Sequence, residues 1–328
     1  MTLDLNQYES FQRWMNLLKA RARAKGRVVD SAPPTTLRVY PYFLSLYCEV
    51  VGKDPDQLIR ERVSDLKSDD EFRRHRHEEY VTKFINHLGS MGKSSNTIAT
   101  AVGAVRSFYA ANYVPLGRIV VPSGTRTREF RLPTPDELKK IVENAPIRTA
   151  TWICCQKDCG MGVGDLINLS LEWRSPIYGT IREQLRRGDC PIHLYVTRKK
   201  TPTIGHFDTW LGEDAVTMLN EFVDFGRSRI FDVTERTITN DLKKVGIVGG
   251  SHVLRKFFDT YISYGVAMAL SKMGQINAAG LTDVLVEYWM GHSLGKVIGA
   301  YRLPPPELQR EIYKQAYPRI KLGIKWSS

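Results

Sequence analysis

The sequence predicts a mainly α fold: a helical bundle, then an α+β domain with a small antiparallel sheet. Three observations carry the expectation. Apolar residues recur at helical spacing from Thr35 to Tyr113. Two short strand candidates, His193 to Thr197 and His206 to Trp210, flank the basic tip Arg198-Lys199-Lys200-Thr201-Pro202, as in a hairpin. Helical spacing then resumes and dominates the remaining chain.

The elements follow in order. Leu5 to Arg23 reads as an amphipathic helix with Tyr8, Phe11, Trp14, Met15 and Leu18 on one side. It either lies on a partner (DNA or another protomer) or docks on the next domain. Ser31-Ala32-Pro33-Pro34 is a break, so residues 1–30 form a separate N-terminal segment. Within residues 31–116, Leu37 to Val51 is one helix and Gly52-Lys53-Asp54-Pro55 ends it. Leu58 to Val63 and Glu71 to Leu88 continue the bundle, and Ser94-Ser95-Asn96-Thr97 caps a last helix through Ala111. Residues 117–134 form an aperiodic basic linker that includes Arg126 and Arg128, suited to tracking backbone phosphates. Pro135 opens the first helix of a domain spanning 135–328, with Asp136 and Glu137 at its positive end. Thr149 to Leu171, Asp214 to Phe225 and Thr234 to Lys244 are expected helices. Ser251 is the expected N-cap of another, in which Leu254, Phe257, Phe258, Tyr261 and Ile262 recur. Glu307 to Tyr317 reads as a short amphipathic helix behind Pro304-Pro305-Pro306.

Bulk properties narrow the function. The 328 residues suffice for two domains, and no apolar run approaches the length of a membrane span. The N-terminus is polar, so no signal peptide is expected and a cytoplasmic, DNA-associated location is. The net charge of +12 favours a polyanionic partner, with nucleic acid first among them. Five cysteines, an odd number without a secretory signal, argue against a disulfide framework. Cys154, Cys155 and Cys159 lack paired zinc spacing and sit among apolar residues, so they are read as core rather than metal ligands.

The chemistry concentrates between Ser251 and Arg302. His252 and Arg255 lie three apart at a helix start, where a proton-transfer group beside a fixed cation suits an anionic substrate. Met290-Gly291-His292-Ser293 follows, and Tyr301 comes nine residues after His292. His-x-x-Arg, then Gly-His, then Tyr in this order resembles the C-terminal half of the tyrosine recombinase (phage-integrase) family. The wording is similar to that of its archaeal and archaeal-virus integrases.

The resemblance implies an α+β catalytic domain behind a helical core-binding domain that clamps the opposite DNA face through Lys93, Ser94 and Arg106. It implies that Tyr301 attacks a phosphodiester to form a 3′-phosphotyrosine. Arg255 and His292 would hold the phosphate, and His252 would handle the tyrosine proton. Lys200, with Lys199 as the alternate, would protonate the leaving 5′-oxygen. Double-stranded DNA is the implied partner, with two or four copies assembling on it. No cofactor, metal, membrane or small-molecule substrate is implied. The tail after Tyr301 would either join a neighbouring protomer or dock on its own domain.

One position departs from the family pattern. Gly160-Met161-Gly162-Val163-Gly164-Asp165-Leu166 aligns with the stretch carrying the first catalytic arginine, and Gly162 occupies the arginine position. Asp165 would support that arginine, and Arg174 or Arg182 are candidate substitutes for it. Gly162 favours one alternative, a recombinase-derived DNA-binding protein without activity; a further alternative is relaxation of the topoisomerase IB kind, which uses the same site without a synaptic partner. Three glycines in what reads as a helix should also weaken it, by roughly 1 kcal/mol each.

Overall fold

The computed structural model describes residues 4–24, 29, 35–122, 131–197, 205–275, 277–292, 294 and 303–326. The chain divides into two compact units, Met1–Glu129 and Phe130–Ser328. Both are mainly helical, and among the described residues the second carries two small antiparallel ladders. Among the described residues no helix is long and apolar enough to cross a membrane.

The first unit holds α1 (Glu9–Ala24), α2 (Thr35–Val51), α3 (Pro55–Asp65), α4 (Glu71–Ser90) and α5 (Ser95–Ala111). Their ends follow local chemistry. Asp54 and Gln57 make a reciprocal capping box ahead of α3, with Pro55 at its first position. Asp70 caps α4, and Ser94 caps α5 through the Thr97 amide. α1 docks on the bundle: Trp14 is fully buried and its indole N–H donates to Ser107 Oγ at 3.0 Å. The amide and hydroxyl of Ser10 donate to Asp56, fastening α1 to the start of α3. At the centre of the bundle His77 bonds the Tyr109 hydroxyl at 2.8 Å, and burial pushes its pKa down to about 4.

The second unit begins with α6 (Pro135–Glu143), capped by a Thr134–Glu137 box, and α7 (Ile147–Cys159). Eleven of the residues of α7 are buried, including Cys154, Cys155 and Cys159, so this helix runs through the core. Burial pushes the Cys159 thiol up to about 12. The expected helix from Thr149 to Leu171 does not run through. Gly160 adopts φ +61° and ends α7, and a Cβ there would collide with the Phe258 ring. Only a single turn follows, α8 (Val163–Leu166), with Gly162 as its N-cap at φ −68°. Gly162 is thus not a glycine inside a helix, and the expected weakening does not apply to it.

β1 (Arg174–Ser175) and β2 (Gly179–Thr180) form a short ladder before α9 (Ile181–Arg187). Neither the ladder nor α9 was among the expected elements, although Thr180 and Glu183 make a capping box and Gly188 closes the helix at φ +71°. β3 (Ile192–Thr197) pairs antiparallel with β4 (His206–Leu211), in a register that sets Thr197 opposite His206. α10 (Glu213–Phe222), α11 (Glu235–Lys244), α12 (Ser251–Lys272), α13 (Ala278–Trp289) and α14 (Pro306–Ala316) complete the unit. α13 was also unanticipated. Gly250, at φ +66°, caps α12 in place of Ser251, whose hydroxyl instead bonds the Gln156 side chain of α7.

The C-terminal segment docks on its own unit. Gln309, Ile312, Tyr313 and Ala316 of α14 are buried, and α14 packs along α12, where Gly265 meets the backbone of Ala316. Leu308, expected on the apolar side, is exposed. Beneath the segment lies an enclosed ionic knot. Lys157 donates to Asp158, to Asp214 at 2.8 Å and to the Ile320 carbonyl at 3.0 Å. Asp214 also accepts from the amides of Leu322 and Ile324 and from the Tyr317 hydroxyl. Burial opposes the charge on Lys157, but the two carboxylates outweigh it and hold the ammonium above the ordinary lysine range.

Candidate active site

Arg255 sits in the first turns of α12, between the core residues Leu254, Phe257 and Phe258. That packing fixes where its side chain leaves the helix. The residue is 8% exposed, and its guanidinium spans the ends of two other helices. Nη1 donates to the Gly160 carbonyl at 3.0 Å, where α7 stops, and Nη2 donates to the Met290 carbonyl at 2.9 Å, where α13 stops. Helix C-termini carry partial negative charge, so both anchors favour the cation.

Gly291 then turns the chain at φ +71°. The His292 amide returns to the Glu287 carbonyl at 2.8 Å, a Schellman ending that places the imidazole over the last turn of α13. His292 Nε2 bonds Arg255 Nη2, and Nδ1 bonds the Glu287 carboxylate. Two further bonds brace the same turn. Tyr288 donates to Asp208 on β4 at 2.7 Å, and the Trp289 indole donates to Gln309 on α14 at 2.8 Å.

His252 lies one turn before Arg255 and is exposed. Burial first, then Lys256 and Arg255, lower its pKa from the ordinary histidine value. Its surroundings therefore favour the neutral form. Gly162 lies across from the guanidinium: a Cβ built there stands 3.6 Å from Arg255 Nη1 and 3.6 Å from Asp165 Oδ2, both ordinary contacts. The stretches around residues 160–165, 252–255 and 287–292 thus meet at one place. Half-buried Asp259 borders it, with a carboxyl raised chiefly by burial and then by Glu287.

The remaining expected residues are distributed as follows. Tyr301, Lys200, Lys199, Arg126 and Arg128 lie outside the described residues. Lys93 and Ser94 are exposed at the start of α5, and Arg106 is exposed further along the same helix. Arg182 is held by Glu172 and by the carbonyls of Phe225 and Arg227, and Arg174 pairs with Glu183 at 3.5 Å, so neither is placed as a substitute at Gly162. Among the described residues no His, Cys, Asp and Glu side chains are grouped to hold a metal ion. Glu287 was not anticipated. Its one sequence signal is the Gly291 helix stop, which brings His292 back over the preceding turn.

A helical bundle joined to an α+β unit with a two-stranded hairpin is a fold found in solved structures of DNA recombinases and integrases. A lambda integrase dimer bound to a COC' core site is similar at a TM-score of 0.50 and 13% identity, over 100% of this chain and 99% of that chain. A XerH site-specific recombinase bound to difH substrate gives a TM-score of 0.49 at 12% identity, over 95% and 86% of the two chains. XerA recombinase gives 0.33 at 18% identity, over 95% and 98%. At these identities the likeness is one of fold. No protein-family model matches the sequence, and no curated protein matches it.

Proposed function

We propose that this chain is a site-specific DNA recombinase of the tyrosine type. The observation that carries the reading is the seat of Arg255. A nearly buried guanidinium is anchored from behind by two helix-end carbonyls, with His292 bonded to it and His252 one turn away. Fixed cationic donors of this kind suit a phosphodiester whose charge grows in the transition state.

In the proposed reaction the Tyr301 oxygen attacks the scissile phosphorus and His252 takes its proton. The bond to the 5′-oxygen breaks, and Lys200 supplies the proton that makes it a hydroxyl. The 3′-phosphotyrosine keeps the ester, so a second 5′-hydroxyl can reverse the step. Two or more copies would assemble on double-stranded DNA, and the basic linker and the bundle lysines would make binding strongly salt-dependent.

Tyr301 is the assigned nucleophile because it alone lies nine residues after His292, the spacing of the family that the sequence resembles. Tyr288 is bonded to Asp208, Tyr313 to the Asp158 carbonyl, and Tyr317 to Asp214. The test is incubation with a pool of nicked duplexes of randomised central sequence, followed by peptide mapping of the covalent adduct. The adduct is expected on the peptide containing Tyr301. An adduct on Tyr261, Tyr264, Tyr288, Tyr313 or Tyr317 would sink the assignment.

A second reading rests on Gly162, which presents only backbone beside Arg255 where the resemblance calls for another arginine. On that reading the chain binds its site without cutting it. It predicts sequence-selective retention of duplexes from the same pool with no adduct.

A further inference from the structure

We infer that Glu287 is a positioning residue: it sets the tautomer and orientation of His292 and, in the reaction proposed above, supports that histidine's contact with the phosphate. The inference of a tautomer stands on hydrogen-bond chemistry. Arg255 Nη2 and His292 Nε2 are bonded, and a guanidinium donates without accepting. Nε2 must therefore present its lone pair, and the ring proton resides on Nδ1. Glu287 accepts from that nitrogen. The carboxylate and the guanidinium thus hold the ring from opposite ends, in the arrangement by which a carboxylate orients a ligating histidine.

A consequence for catalysis follows, and this part rests on the recombinase reading. With its lone pair toward Arg255, His292 has no proton to offer a phosphate from Nε2. To donate to a phosphate from Nε2, the ring must carry a proton on both nitrogens. The imidazolium so formed lies between the phosphate and the Glu287 carboxylate, which balances its charge. Among the described residues, Asp259 of α12 also acts on the ring, besides Arg255.

Three substitutions separate the roles. Glu287→Gln keeps an acceptor for Nδ1–H and removes the charge. Glu287→Leu removes both, and Glu287→Ala serves as its control should the leucine disturb packing. The side chain is 46% exposed, so all three should fold. The first readout needs no activity: nitrogen-15 spectra of the full chain labelled at its seven histidines, with His292 assigned by its loss in His292→Gln. The Nδ1–H form is expected in the parent and in Glu287→Gln, and a shift toward Nε2–H is expected in Glu287→Leu and Glu287→Ala. An Nε2–H form in the parent, or an unchanged spectrum in both apolar variants, overturns the tautomer assignment.

The second readout is adduct formation on the nicked pool, in the parent and in a Gly162→Arg background. Glu287→Leu should slow cleavage about 10- to 100-fold, the usual cost of removing the partner that orients a functional histidine, with DNA affinity unchanged. Glu287→Gln should fall between. Unchanged rates beside an altered spectrum would overturn the catalytic half. Absence of cleavage in every background would instead remove the recombinase reading, and the spectra would still decide the tautomer.

Discussion

The second unit contains two clusters of charge built in opposite ways. Around Lys157 everything is enclosed: Lys157 and Asp158 are 0% exposed and Asp214 is 1%. Each group there meets an opposite charge, a backbone amide or a carbonyl, and the knot fastens α7, α10 and the C-terminal segment together. Around Arg255 the guanidinium is anchored at the back, while His252 is exposed and the His292 side chain keeps 40% of its surface. Enclosed charges can only answer one another, and removing one strands the rest in a medium that solvates ions poorly. Half-open charges still reach a dissolved anion. Burial separates a fastening from a candidate site here, since both clusters are built around a cation anchored by a backbone carbonyl.

The largest effect is expected at Gly162. A side chain there would start 3.6 Å from Arg255 Nη1 and from Asp165, beside a guanidinium already in place. Loss of one such donor commonly costs about 10²- to 10³-fold in rate. Gly162→Arg should therefore raise adduct formation about 100-fold or more on the nicked pool, with little change in affinity. Equal rates for the two proteins would mean that the missing cation is supplied from elsewhere.

Next comes the enclosed cluster. Lys157→Met leaves two buried carboxylates without their ammonium and should destabilise the protein by about 3–5 kcal/mol, read by chemical denaturation. Truncation after Pro306 removes Tyr317, Ile320 and the amides that serve Asp214, so the unit should fail to fold stably. That outcome favours docking on the home unit over a role confined to assembly. By contrast, the half-exposed Glu287→Gln should change stability by no more than about 0.5 kcal/mol. Comparable losses at Lys157 and Glu287 would erase the distinction between the two clusters.

A smaller effect concerns pH. The lowered pKa of His252 means that the folded state binds fewer protons than the unfolded chain just below the ordinary histidine value of about 6.5. Its contribution to stability is therefore present above that value and lost as pH falls through the folded one. The acid limb of cleavage should accordingly lie below pH 6.5. Lys256→Gln should move it upward by removing one of the charges that depress it, as rate against pH would show. A limb unmoved by Lys256→Gln would detach His252 from the reaction.

The smallest expected effect lies in the bundle. Ser94 accepts the Thr97 amide, so Ser94→Ala should lower the stability of the first unit by about 1 kcal/mol. If Ser94 acts only as a cap, DNA affinity should hold in Ser94→Ala while Lys93→Ala weakens it. A matched fall in affinity in both variants would assign the hydroxyl to DNA as well.

The sequence by itself determined the helical bundle, the β3–β4 hairpin and most helix starts. These depend on interactions within a few residues: Asp54 with Gln57, Ser94 with Thr97, Thr134 with Glu137, each spanning three positions. It also singled out His252, Arg255, His292 and Gly162, because motif order is a property of the chain alone. Only the tertiary structure decided what those residues touch. Arg255 meets carbonyls 95 and 35 positions away, and Ser251 leaves its expected cap for Gln156, 95 positions away. Gly160 reads as an awkward residue within a helix, yet it ends α7 where the Phe258 ring fills the space of a Cβ. Glu287 gained its role when a left-handed Gly291 folded His292 back upon it. Local rules act over three to five residues, whereas the guanidinium's seat exists only after α7, α12 and α13 have packed together.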